Sequence, residues 1–145
     1  MDALLRQLAL AIVADGEGAA RVGRVLVSGR PDAVEPVARA VADSPLVKAA
    51  LHGGDPNFGR LLQAAGQVWP AGEQFVADLE IEGRQVVSAG NTLELAADEV
   101  RELEAAVRAD EVEFVLTIPG DGGETEVFFS DLSEEYVTFN ASYTS

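Results

Sequence analysis

Apolar and acidic residues alternate without interruption over residues 77–82, and this pattern restricts the possible folds more than any other in the chain. The three apolar residues would share one face of an extended strand, and the three carboxylates would share the other. In residues 112–118 every second residue is a large apolar one, namely Val112, Phe114, Leu116 and Ile118. The sequence therefore predicts a sheet with one buried face and one solvated face.

Other segments predict helices and further strands. Apolar residues at helical spacing, with proline starts and glycine ends, predict helices at 3–14, 31–44, 57–67 and around 100–107. Further strands are predicted at 22–28, at 84–88 as a hairpin partner of 77–82, and at 124–130, which returns antiparallel to 112–118 after the turn PGDGG. Residues 131–136 predict a short turn or helical piece, and 136–140 an extended tail.

The mixture of helices and hairpins predicts an α+β fold. We expect a mostly antiparallel sheet of four to five strands with helices packed on one face. No repeat, low-complexity segment or linker divides the sequence, so residues 1–145 are expected to form a single domain. A length of 145 residues with 48% hydrophobic content is sufficient for one such core.

Charge and composition exclude several classes of function. A net charge of −15 repels phosphates, so a nucleic-acid partner is not expected. No run approaches the roughly 20 apolar residues of a membrane span. The opening residues lack the basic start and the cleavage pattern of a signal peptide, so a cytoplasmic location is expected. The absence of cysteine excludes disulfides, thiolate metal sites and cysteine nucleophiles.

The segment DGEGAAR, residues 15–21, places Glu17 between two glycines just after the first helix. A phosphate loop is not indicated, because the lysine and hydroxyl residue of such loops are absent and a carboxylate repels phosphate. A single glutamate in a loop is most often a solvated charge. A carboxylate presented on a tight turn is also what a pocket uses to bind an ammonium group.

The single histidine, His52, lies in HGGDPNFGR without a second histidine to share a metal. A capping or packing role is more common for such a residue, and no metal site or hydrolase triad is predicted. Asp55 and Asn57 are predicted to cap the helix that follows, and Arg60 to pair with Asp55 or to hold the chain elsewhere. The acidic face of the 77–82 strand is interpreted as solvated surface, although paired carboxylates bind hard cations loosely.

The last ten residues, YVTFNASYTS, carry four large apolar side chains, which is unusual for a chain end. Docking of this tail would fix Asn140, Thr144 and Ser145 in place. An amide and a terminal hydroxyl could then hydrogen-bond a substrate carboxylate or amide.

Three motifs in order, DGEGAAR, SPLVKAALHGGDPNFGR and DLSEEYVTFNASYTS, resemble the C-terminal part of the ornithine acetyltransferase family. The similarity runs along nearly all 145 residues. Members of that family are cytoplasmic, oligomeric transferases of arginine biosynthesis, which move an acetyl group from N-acetylornithine to glutamate. Some also accept acetyl-CoA, and no other cofactor is implied.

The resemblance implies three substrate-binding positions. Glu17 corresponds to a glutamate that contacts the amino end of an ornithine-type substrate, and Asn140 and Ser145 correspond to two C-terminal substrate-binding positions. Where family members often read GEGATK, this chain has Ala20 and Arg21, which keeps the positive charge and loses a hydroxyl.

The resemblance implies no catalytic residue on this chain. The family cuts itself before a threonine, which becomes an N-terminal nucleophile. That threonine and the oxyanion donors belong to an upstream part that this sequence does not contain, so the implied partners are that part and small amino acids. Two alternatives stay open: a stand-alone, non-catalytic amino-acid-binding or assembly module of the same fold, and a truncated piece with no function of its own.

Overall fold

A computed structural model describes residues 3–16 and 18–142 of the chain. Its helices are α1 Ala3–Ala14, α2 Pro31–Asp43, α3 Pro45–Gly53, α4 Phe58–Gln67, α5 Ala97–Ala106 and α6 Glu134–Ser142. Its strands are β1 Val22–Gly29, β2 Asp78–Ile81, β3 Arg84–Ser88, β4 Asn91–Thr92, β5 Glu111–Thr117 and β6 Gly123–Ser130. The predicted α+β class is confirmed, and most predicted elements lie where their patterns placed them.

The strands form one mixed sheet in the order β4-β3-β2-β5-β1-β6. β1 runs parallel to β5, and every other neighbouring pair is antiparallel. The prediction of a mostly antiparallel sheet with four to five strands was therefore wrong in strand number and in the central pairing. The parallel pair joins strands that are far apart in sequence, and no local pattern in the sequence predicts such a pairing.

The predicted hairpin between β5 and β6 is also wrong. β6 pairs with β1 along its whole length, from Gly29 opposite Gly123 to Val22 opposite Ser130. The PGDGG segment passes the end of β1 and leads into β6. It lies close to the start of α2 there, since a Cβ on Gly123 would lie 2.6 Å from the Cα of Pro31. Alternation of residues specifies which face of a strand is buried, but it does not specify the neighbouring strand.

One face of the sheet carries the core. The apolar side of β2, Leu79 and Ile81, is fully buried, which confirms the alternation seen in the sequence. α2 packs on β1 and β6, and α4 packs on α2. The buried side chains that α2 contributes recur at helical spacing: Val34, Val37, Ala38 and Val41.

The opposite face of the sheet is covered in part by α1, so the prediction of helices on one face was wrong. Arg24 and Glu126 lie one position from the buried Val25 and Val127 and therefore project to the other side. Arg6 of α1 donates to Glu126 at 3.0 Å, and Arg24 donates to the same carboxylate. Polar contacts thus hold α1 on the sheet.

The outer side of α1 is apolar and exposed. Leu5, Leu8 and Ile12 are 57%, 55% and 66% exposed, and no residue of this helix is buried. None of the helices in the described part of the chain has the length and apolarity that a membrane span needs. An exposed apolar stripe on a short helix is more typical of a surface that another protein segment covers.

The final segment forms α6, so the prediction of an extended tail was wrong for residues 136–140. Ser133 caps the helix, because its Oγ accepts a hydrogen bond from the Tyr136 backbone N at 3.0 Å. Glu134 and Glu135 in the first turn add a favourable interaction with the helix dipole. These local signals outweigh the preference of Val137 and its aromatic neighbours for strands.

Candidate functional site

Three segments that are distant in sequence meet at one place in the fold. They are residues 18–21, which follow Glu17, residues 48–52 of α3, and residues 131–136, which lead from β6 into α6. We call this meeting point the junction. Its contacts are hydrogen bonds between backbone groups and a few buried polar side chains, so each segment fixes the position of the others.

Asp131 is the centre of the junction. Its side chain is 0% exposed. Oδ1 accepts a hydrogen bond from the Ala20 backbone N at 2.9 Å, and Oδ2 lies 2.7 Å from Nδ1 of His52. Its own backbone N donates to the Arg21 carbonyl at 3.0 Å. Burial of a carboxylate is tolerated here because both of its oxygens have partners.

Arg21 joins the same turn to the end of α3. Its Nη1 donates to the carbonyl of Leu51 at 3.0 Å and also to the carbonyl of His52. These are among the last carbonyls of α3, where the helix dipole favours a positive charge. The backbone N of Leu132 donates to the Lys48 carbonyl at 3.3 Å. α3 therefore holds both of the other segments.

Gly18 lies against the start of α6. Ser133 Oγ donates to the Gly18 carbonyl while it accepts from the Tyr136 backbone N. Gly18 has a φ of +78°, and a Cβ at this position would lie 2.8 Å from the Tyr136 N. Only glycine combines this backbone conformation with so close an approach.

The structure reports on one of the three predicted substrate-binding residues. Glu17 and Ser145 lie outside the described residues. Asn140 lies on α6, is exposed, and donates from Nδ2 to the Tyr136 carbonyl at 2.8 Å. The junction thus brings the residue after Glu17 to the first turn of the helix that carries Asn140.

The expected docking of the tail is wrong for its described part. Tyr136, Val137 and Phe139 are 45%, 53% and 41% exposed, and no residue of α6 is buried. These side chains do not form one apolar face of the helix, which is what packing of a helix on a core requires.

The residues of HGGDPNFGR have mainly structural roles, as predicted. Asn57 caps α4 as predicted, by accepting from the Arg60 backbone N at 3.3 Å. The cap predicted for Asp55 was wrong, because its carboxylate accepts instead from the Asn57 side-chain amide at 3.3 Å. Arg60 donates to the Leu46 carbonyl at 3.1 Å and so holds the chain elsewhere, one of the two predicted roles. Within residues 3–16 and 18–142, no group of three or more metal-ligating side chains comes together.

Asp131 and Ser133 were not predicted from the sequence as residues of this site. For Ser133 a signal existed, because a serine followed by two acidic residues is typical of a helix start. Asp131 has no such local signal, since its partners Ala20 and His52 lie 111 and 79 positions away.

A cavity of about 630 Å³ lies elsewhere on the surface, lined by residues 82–85 and 93–95 together with Glu99. Its one arginine, Arg84, is engaged by Glu99 and Glu102 at 2.7 Å each. No junction residue lines it. The cavity therefore offers no cation for a substrate carboxylate, and the junction is the stronger candidate.

Comparison with known proteins decides the ancestry of the chain. A sequence model of the ArgJ family matches residues 1–145. The chain belongs to the ArgJ family. The resemblance carried by the three motifs is thereby confirmed, since this ArgJ chain is similar to the arginine biosynthesis bifunctional protein ArgJ of Rhodopirellula baltica. The identity is 45%, over 96% of this chain and 34% of the relative.

Two further relatives agree. The glutamate N-acetyltransferase of Methanocaldococcus jannaschii is 35% identical over 97% of this ArgJ chain and 37% of its own length. The crystal structure of ArgJ from Bacillus halodurans superposes with a TM-score of 0.84 at 29% identity, over 94% of this chain and 64% of that chain. The chain thus spans about a third of the length of the curated relatives it matches.

Proposed function

We propose that this ArgJ-family chain is the substrate-binding part of an acetyltransferase that moves an acetyl group from N-acetylornithine to glutamate. Glu17 would bind the amino end of the ornithine-type substrate, and Asn140 and Ser145 would bind its other polar groups. The observation that carries the proposal is the junction, because it joins the residues after Glu17 to the segment that leads into the helix of Asn140.

The chemistry of these residue types fits the substrate. A carboxylate forms a charge-assisted hydrogen bond with an ammonium group, while an amide and a hydroxyl donate to a carboxylate. In the proposed reaction a threonine hydroxyl on another part of the enzyme attacks the acetyl carbonyl, and ornithine leaves with the proton. The amine of glutamate then attacks the acetyl-threonine, so that N-acetylglutamate forms and the threonine hydroxyl leaves with the amine proton. Acetyl-CoA would be an alternative donor for the first step.

The outer side of α1 supports a partner of this kind. Leu5, Leu8 and Ile12 present an apolar stripe that no described residue buries. The relatives are about three times as long as this chain. We propose that the part of the enzyme that carries the threonine packs on this stripe, and that burial of the stripe stabilises the complex.

Reconstitution tests the proposal. The chain is co-expressed with the unmatched part of the Rhodopirellula baltica relative, and N-acetylglutamate formed from N-acetylornithine and glutamate is measured. We expect no turnover by the chain alone and turnover by the complex. Loss of one charge-assisted contact in Glu17→Ala should lower kcat/KM roughly ten- to a hundredfold. Glu104→Ala, which removes an exposed charge from α5, is the matched control.

Native mass spectrometry of the chain from its own cells tests the partner directly. We expect a complex with a second polypeptide that begins with threonine. A lone species of 15.2 kDa would contradict the proposal. In that case, a higher melting temperature of the isolated chain with ornithine, N-acetylornithine or glutamate would indicate a non-catalytic amino-acid-binding module.

A further inference from the structure

We infer that Asp131 and His52 are positioning residues, which fix the turn that follows Glu17 in the orientation that substrate binding requires. The inference depends on the proposed function for the identity of the substrate. Neither residue is placed in contact with the substrate. Each acts through the turn, and Glu17 precedes that turn in the chain.

The burial of polar groups points to this role. Among the residues that the structure describes, Asp131 and Ser133 are the two polar or charged residues that are buried, at 3% and 4% exposure. Both bond to the segment just after Glu17, since Asp131 accepts from Ala20 and Ser133 donates to Gly18. Burial of polar groups costs free energy, and both of these residues offset that cost with hydrogen bonds to residues 18–20.

His52 completes the arrangement from the side of α3. A buried carboxylate with one oxygen on the Ala20 N–H needs a second donor, and Nδ1 of His52 lies 2.7 Å from the other oxygen. The backbone carbonyl of His52 accepts from Arg21 in the same turn. α3 therefore holds the turn at two points, through the His52 ring and through the last carbonyls of the helix.

His52 is the position to change, because its side chain is 39% exposed and its loss should not prevent folding. His52→Ala removes the donor, whereas His52→Asn places an amide N–H close to the position of Nδ1. In the reconstituted acetyltransferase we expect His52→Ala to raise the KM for N-acetylornithine about tenfold, with kcat changed less than twofold. His52→Asn should restore the KM to within about twofold of the unmodified enzyme.

Ser44→Ala is the matched control for a purely structural effect. Ser44 caps the other end of α3 by accepting from the Val47 N at 3.4 Å. Its loss should lower the melting temperature without changing the KM. If His52→Ala behaves like Ser44→Ala, with a lower melting temperature and an unchanged KM, the inference is wrong.

A double variant separates this inference from the proposed function. If both hold, Glu17→Ala raises the KM, and His52→Ala adds little in that background because it acts through the same residue. An unchanged KM in Glu17→Ala overturns the proposed function. Additive effects of the two changes overturn only the positioning role.

Hydrogen exchange gives a readout that does not need activity. His52→Ala should speed amide exchange at residues 18–21 in the isolated chain, since the Ala20 N–H donates to the carboxylate that His52 holds. Exchange unchanged at these residues would overturn the positioning step, whatever the assay shows.

Discussion

The ring of Phe129 on β6 lies directly over Gly23 of β1. The two residues are cross-strand partners, and a Cβ on Gly23 would lie 2.2 Å from Cζ of the ring. Phe129 also stacks with Phe114 of β5, with ring centroids 6.3 Å apart. Because β1 lies between β5 and β6, the absence of a side chain at Gly23 lets the two aromatic rings meet across it.

Replacing Gly23 by alanine should therefore destabilise the sheet. The added methyl group must displace the Phe129 ring and separate it from Phe114. We expect the free energy of unfolding to fall by roughly 1 to 3 kcal/mol, as is typical of overpacked cores. Urea unfolding followed by circular dichroism measures this change.

Gly53→Ala is the control for the loss of a glycine. Gly53 ends α3, and a Cβ added there would meet nothing within 4 Å. This substitution should leave stability unchanged or raise it by up to about 1 kcal/mol, because alanine favours the helix. Equal losses for the two variants would contradict the role given to the ring.

Gly18→Ala should impair substrate binding, and the strain of placing alanine at a positive φ does not by itself account for this effect. Gly18 and Gly72 both have positive φ, +78° and +86°. A Cβ at Gly18 meets the Tyr136 backbone, whereas a Cβ at Gly72 meets nothing within 4 Å. In the reconstituted enzyme we expect Gly18→Ala to raise the KM for N-acetylornithine and Gly72→Ala to leave it unchanged. Similar KM values for both variants would argue against a substrate site beside the junction.

Polar substitutions on α1 should block assembly without unfolding the chain. Leu8 and Ile12 are exposed, so changing both to glutamine removes no core contact. We expect the double variant to keep its melting temperature and to lose the complex with the rest of the enzyme, as measured by size-exclusion chromatography. Leu46→Gln, an exposed apolar residue on α3, is the control and should assemble normally. Assembly by both variants would place the interface elsewhere.

The free energy of unfolding should depend on pH through Glu126, the carboxylate that accepts from Arg6 of α1. Burial raises the pKa of Glu126, but hydrogen bonds from Arg24 and Arg6 lower it by more, so the net pKa lies below its ordinary value. A carboxyl group with a lowered pKa stabilises the fold above its unfolded pKa, and this stabilisation is lost as pH falls through the folded pKa.

Glu126→Gln tests this dependence. At pH 7 we expect the variant to be less stable by about 1 kcal/mol. The difference should shrink as pH falls below about 4.3, the ordinary pKa of glutamate. Unfolding curves of both proteins between pH 3 and 7 measure the difference, and a constant value over that range would contradict the assignment.

The sequence predicted the elements of this fold better than their arrangement. Alternation identified the buried residues Leu79 and Ile81 because it depends only on local geometry. The same rule gave β5 and β6 as a hairpin, and it failed because β1 enters between them from about 90 positions earlier. In the junction, the glycines around Glu17 drew attention to the turn, but Asp131 could not be predicted, since its partners lie far away along the chain.

Asn140 offers the last prediction, because its structural role and its proposed binding role are separable. Among the described residues its amide bonds to the Tyr136 carbonyl, one turn earlier on an exposed helix, so Asn140→Ala should change the stability of the isolated chain by less than about 0.5 kcal/mol. Ser142 makes the same kind of bond to Thr138, at 2.7 Å, and is the matched control. In the reconstituted enzyme, Asn140→Ala should raise the KM for N-acetylornithine roughly three- to tenfold by loss of one hydrogen bond, while Ser142→Ala should not. If the KM responds equally to both changes, the effect comes from the helix, and Asn140 has no binding role.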